Sequence, residues 1–130
     1  MGRLHDDTLQ VAAEHHLVYQ LLMRGYDASL PGSAGGDIFA CSADGLRVAL
    51  LRVHVLDEQG ALPRGQAVAV ARNRACVCVE LAGADDVPVY FIVPSALFVQ
   101  VAVWTRRQLE PHRDAWRLLG LEGPSLRIAS

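Results

Sequence analysis

Asp37, at the end of a glycine-rich run, and the pair Arg52 and His54, two residues apart in an apolar stretch, are the residues of this chain best placed to do chemistry. Side chains along an extended strand alternate between its two faces. Over residues 46–55, Val48, Leu50, Arg52 and His54 therefore share one face, and Ala49, Leu51, Val53 and Val55 share the other. Ionisable groups on an otherwise apolar strand need partners, and Asp37 and Glu14 are the candidates. An aspartate at the start of one strand and polar groups on its neighbour converge at one sheet edge. A small α/β protein gathers hard oxygen ligands for a divalent cation in this way. Arg52 alters that chemistry, because a guanidinium has only donors to offer and is no base near neutral pH. His54 can act as a base there, although imidazole suits Zn²⁺ or Mn²⁺ better than Mg²⁺. The structural alternative is an Asp37–Arg52 ion pair, in which an internal cation stands where a metal would.

The remaining ionisable residues set the limits. All 12 basic residues are arginine, so no lysine is available as a general base, Schiff-base former or phosphate-binding point charge. The formal net charge of −2 gives the molecule no strong field toward nucleic acid, and any such contact needs a local arginine patch. Arg72 and Arg74 could supply phosphate contacts or simply form a solvated strand start; Arg106, Arg107, Arg113 and Arg117 could form a C-terminal basic surface. His15 and His16 read as surface residues. Cys41, Cys76 and Cys78 sit among apolar residues and read as reduced, buried thiols of a cytoplasmic protein. Cys76 and Cys78 share a strand face, but their spacing makes no zinc knuckle.

The elements that must position these groups follow from periodicity. A chain of 130 residues fits one domain, here 1–130. Helical spacing of Leu9, Ala12, Ala13, Leu17, Leu21 and Leu22 predicts a helix over 6–24, with Asp6 or Asp7 as cap and Gly25 as stop. Strands are predicted at 26–30, 38–42, 46–55, 75–81 and 87–93, the third central because it is apolar on both faces. The stretch 56–74 reads as a loop with room for a short strand near 67–70. A helix is expected over 95–108, where the period-two run Val99, Val101 and Val103 also suits a strand, and a shorter helix, carrying Trp116, over 111–119. The fold class is therefore α/β: an N-terminal helix, a central five-stranded mixed sheet and C-terminal helices. Hydrophobic residues make up 52% of the chain, which suits a sheet buried on both faces, a face covered by a second copy, or both. The apolar surface around 97–104 is the expected homodimer contact. Asp6 and Asp7 argue against a signal peptide, and Pro88, Pro94, Arg106 and Arg107 break the longest apolar stretch, so no membrane span is expected.

Val11-Ala12-Ala13-Glu14 followed by Leu21-Leu22-Met23-Arg24-Gly25-Tyr26 resembles the first helix of small PD-(D/E)XK nuclease-like proteins, a branch of short bacterial chains with the restriction-endonuclease-like fold. Gly36-Asp37-Ile38-Phe39-Ala40 resembles their Asp element, Tyr90-Phe91-Ile92-Val93-Pro94-Ser95 their fifth strand and following helix start, and Asp114-Ala115-Trp116-Arg117-Leu118-Leu119 their terminal helix. The likeness spans about residues 6–120. It implies a metal-dependent phosphodiesterase site, in which the Asp and a Glu or Gln hold Mg²⁺, a Lys two residues on helps activate water, and a first-helix Glu often joins. By position Asp37 and Glu14 are retained, while Arg52-Val53-His54 occupies the Glu/Gln-x-Lys step. Two expectations follow. The favoured one is a catalytically degenerate module, without cofactor, that binds a partner or assembles with itself. The other is an active DNA or RNA phosphodiesterase built on Glu14, Asp37 and His54 with Mg²⁺ or Mn²⁺.

Overall fold

The computed structural model describes residues 2–62, 68–81 and 87–122, with side chains from residue 8 onward. Helix α1 spans Gly2–Met23, so Asp6 and Asp7 lie inside it rather than capping it. Gly25 ends it as expected. Its φ of +90° is one that L side chains rarely adopt, and the Gly25 and Tyr26 N–H groups donate back to the Leu22 and Leu21 carbonyls at 3.0 and 3.1 Å.

Five strands follow: β1 (Asp27–Ser29), β2 (Asp37–Cys41), β3 (Val48–Val55), β4 (Arg74–Glu80) and β5 (Val89–Pro94). They form one sheet in the order β1-β2-β3-β4-β5. All neighbours are antiparallel except β3 and β4, which run parallel. The sheet is thus mixed and β3 is central, as its two-sided apolar pattern predicts.

Alternation divides the side chains between two cores. On one face Ile38, Ala40, Ala49, Leu51, Val53, Val77, Val79, Tyr90 and Ile92 pack against Ala13, Leu17 and Leu21 of α1 and against Trp116, Leu119 and Leu121. Each fully buried leucine there stabilises the fold by about 1.5–3 kcal/mol relative to an exposed one. On the other face Cys76, Cys78, Phe91 and Val93 are covered by Leu56, Leu62, Phe98, Trp104 and Leu109. Burial of β4 and β5 on both faces accounts for part of the high apolar content.

The C-terminal third departs from expectation. The predicted helix over 95–108 is two short ones, α2 (Ser95–Phe98) and α3 (Arg106–Leu109), separated by irregular chain. Phe98 and Trp104 must both enter the second core, yet six residues advance a continuous helix by about 240° beyond a full turn. The helix therefore breaks, the Trp104 Nε1–H donates to the Phe98 carbonyl at 3.1 Å, and Thr105 with Gln108 restarts the chain through a capping box. The predicted helix over 111–119 is likewise replaced by two 3₁₀ turns, Glu110–His112 and Trp116–Leu119. Between them Arg113 bridges Phe91 and the Asp114 N–H donates to the Tyr90 carbonyl at 2.9 Å, so this segment works as cover for the β5 edge. Residues 68–70 form no strand, and residue 67 lies outside the described residues.

Candidate functional site

β2 begins at Asp37 because Gly35 (φ +84°) and Gly36 turn the chain out of the β1–β2 loop. The antiparallel register sets Asp37 directly opposite Arg52, and the two ion-pair at 3.1 Å from Arg52 Nη2 to Asp37 Oδ1. A second arginine meets the same oxygen. Arg74 opens β4 and lies beside Leu50, one alternation step from Arg52 on the same face. It reaches across β3 and donates from Nη1 to Asp37 Oδ1 at 2.8 Å. Its position is fixed by the chain just before it: the Ser95 hydroxyl accepts from the Ala71 N–H at 3.1 Å and donates to the Ala71 carbonyl at 3.0 Å, and the Leu50 N–H donates to the Asn73 carbonyl at 2.8 Å.

The cluster is partly buried, with side-chain exposures of 29% for Asp37, 33% for Arg52 and 16% for Arg74. Burial pushes the Asp37 carboxyl up. The Arg74 hydrogen bond and the charges of both arginines outweigh it and hold the group below the usual carboxylate range. Three charges sum to one excess positive charge. Beneath them the Cys76 thiol is pushed up to about 12, chiefly by burial, against the lowering pull of Arg52 and Arg74. Cys78, deeper still, is also pushed up by burial. Both are inert thiols at neutral pH, whereas Cys41 is only half-buried, not fully buried as its apolar neighbours suggest.

Glu14 does not join this cluster. It is 2% exposed, on the helix side of the sheet, where Oε2 accepts from the Gly35 N–H at 2.8 Å and from Gln10 Nε2 at 3.0 Å. Gln10 Nε2 also donates to the Val53 carbonyl at 2.9 Å. Glu14 thus straps the glycine loop to α1. The three-residue set Glu14, Asp37 and His54 is consequently split across the sheet.

His54 shares the face of Arg52, as alternation requires, but lies further into the second core. It is 5% exposed and its ring stacks on Phe98 at 4.8 Å. Phe98 therefore covers the residue that would have to exchange protons with a solvent-derived nucleophile. The expected phosphate pair also separates, with Arg72 exposed and Arg74 committed to Asp37. The C-terminal basic surface is partly neutralised: Arg106 pairs with Glu80 at 3.0 Å and with Glu110, and Arg113 pairs with Glu110 at 3.2 Å.

Among the described residues no group of three or more His, Cys, Asp or Glu side chains gathers in one place. The donor set around Asp37 is cationic rather than ligand-like. One carboxylate oxygen already carries two guanidinium donors, and a cation would be placed against two fixed positive charges.

A shallow, open cavity of about 510 Å³ lies elsewhere, lined by Arg24, His112, Asp114, Trp116, Arg117 and Glu122 among others. The Arg24 guanidinium sits 4.3 Å above the Trp116 ring. Sequence reasoning singled out neither Arg24 nor the clamping role of Arg74. The first depends on where the C-terminal turns return, and the second on the parallel β3–β4 register.

Among the described residues no helix is long and apolar enough to cross a membrane. No family model, curated protein or solved structure matches the chain.

Proposed function

We propose that this chain is a catalytically degenerate nuclease-like module that acts by binding, with the inherited catalytic corner converted into an ion-pair cluster. The observation that carries this reading is the double clamp on Asp37, whose Oδ1 accepts from Arg52 at 3.1 Å and from Arg74 at 2.8 Å. The restriction-endonuclease-like core is part of the proposal. Its support is the element order: a helix, a short strand, a Gly-rich loop, an aspartate opening β2, a hairpin and then the central strand. In that order Arg52 stands where a carboxylate or amide ligand is expected and His54 where lysine is expected. The active alternative needs Glu14, Asp37 and His54 to converge, and they lie on two sides of the sheet with His54 under Phe98.

Incubation of the protein with double- and single-stranded DNA and with RNA, in Mg²⁺ and separately in Mn²⁺, tests the reading. The expected result is no cleavage above that of an Asp37→Ala variant. Cleavage by the native chain that disappears in the variant would overturn it.

A further inference from the structure

The Asp37 corner is paired but not saturated. Each arginine spends one terminal nitrogen on Asp37 Oδ1, and the Nε–H of Arg52 and that of Arg74 are buried with no acceptor. A buried donor without a partner is destabilising, and more so on a charged group. Two guanidinium groups against one carboxylate also leave one positive charge unbalanced. Both facts call for an anion that carries several acceptor oxygens. The corner is open to one, since Arg52 and Asp37 are 33 and 29% exposed. Phe39 lies two residues along β2 from Asp37, so alternation sets its ring on the same face, about 7 Å away. Phe39 pairs with Leu50 and Leu50 with Arg74, so the three form one row across β2, β3 and β4. Phe39 is 48% exposed, and it offers a flat apolar surface beside the cationic corner.

We infer that this face binds a nucleoside monophosphate, its phosphate held by Arg52 and Arg74 and its base lying on Phe39 and Leu50. Guanidinium forks match phosphate oxygens in pairs, and a bidentate contact uses the Nε–H together with a terminal nitrogen. The phosphate thereby supplies the acceptors that the two orphaned donors lack. Any base presents a π-face to an aromatic ring, and a ribose spans the gap between such a platform and the corner. Charge selects a single phosphate over a polymer. The corner has one unbalanced positive charge, and beyond Phe39 the face continues through Ser29 and the exposed Asp27 of β1, where a nucleic-acid backbone would need further cations. The inference deepens the binding role proposed above and rests on it, since the corner is taken to hold a phosphate without cleaving it.

Isothermal titration calorimetry of the full chain at low salt tests the site. The probes are adenosine 5′-monophosphate, inorganic phosphate, adenosine, and a single-stranded DNA oligonucleotide without terminal phosphates. The monophosphate is expected to bind at least about tenfold more tightly than each of the other three. Arg52→Gln should weaken it at least about tenfold, and Phe39→Ala should bring it down to the level of inorganic phosphate. Asp37→Asn should strengthen it, because the phosphate then meets two guanidinium groups without an opposing carboxylate. Thermal melts verify that each variant folds, and the exposed Phe39 keeps the test decisive should either corner variant unfold. A native chain that does not bind the monophosphate at millimolar concentration overturns the inference, as does binding that Arg52→Gln leaves unchanged or that a folded Asp37→Asn weakens. Equal affinity for monophosphate and inorganic phosphate, or no effect of Phe39→Ala, overturns the base platform. Tighter binding of the oligonucleotide overturns the single-phosphate assignment. A chain that neither binds the monophosphate nor cleaves nucleic acid refutes this site and leaves the degenerate reading standing. Cleavage that depends on Asp37 refutes that reading whatever the titration shows.

Discussion

Strand register, more than any single side chain, decides what Asp37 can do. Facing Arg52 across β2 and β3 and reached by Arg74 from β4, its carboxylate is engaged as an acceptor before any ligand arrives. The Asp37–Arg52 pair was legible in the sequence, because alternation along 46–55 and the aspartate after Gly35-Gly36 are local features. Arg74 was not, because its place depends on how 56–73 returns to lay β4 parallel to β3. Glu14 was legible as a helix residue near the loop, but which side of the sheet it serves is a tertiary fact. Replacing Asp37 by alanine leaves two partly buried arginines facing each other and is expected to cost about 1–2 kcal/mol in urea unfolding at neutral pH. The folded pKa of Asp37 is depressed below 3.8, so its contribution is fully present above that value and is lost as the pH falls through the lower folded one. The native-minus-variant difference should accordingly hold from neutral pH to about pH 5 and shrink below about pH 4. A difference that grows on acidification would contradict the assignment.

Among the elements, α1 and the five strands were visible as periodic patterns with glycine and proline punctuation, within a few residues of their ends. The C-terminal covers were not. Residues 95–108 read as a helix from their apolar spacing, but the β-branched Val99, Val101 and Val103 are poor helix formers, and Phe98 and Trp104 both pack into the second core with irregular chain between them. β4 is an apolar run buried on both faces. That burial gives a direct test with a thiol reagent at neutral pH. In the folded protein Cys41 alone should react, and Cys76 and Cys78 should become reactive only in denaturant, because burial raises both of their pKa values and shields them. Rapid labelling of Cys76 or Cys78 under native conditions would mean that the cover formed by Phe98, Trp104 and Leu109 opens readily.

At the scale of the whole molecule, 52% hydrophobic residues fill two cores and also stand exposed at positions such as Tyr19, Met23, Leu46 and Val87. Composition announced that surplus but could not divide it between interior and surface: within 97–104 Phe98 and Trp104 are buried in the second core while Val99 stays exposed. The same whole-molecule view bears on the central claim that an arginine pair, rather than a metal, completes the Asp37 corner. A ligand that binds only the folded state raises its stability by RT ln(1 + [L]/Kd), or about 2.7 kcal/mol at a hundredfold excess over Kd. The direct measurement is therefore the melting temperature of the native chain as Mn²⁺ is raised from none to millimolar, with Asp37→Ala as control. The account predicts that the Mn²⁺ dependence of the native chain does not exceed that of the variant. A Mn²⁺-dependent rise present in the native chain and absent in Asp37→Ala would contradict it.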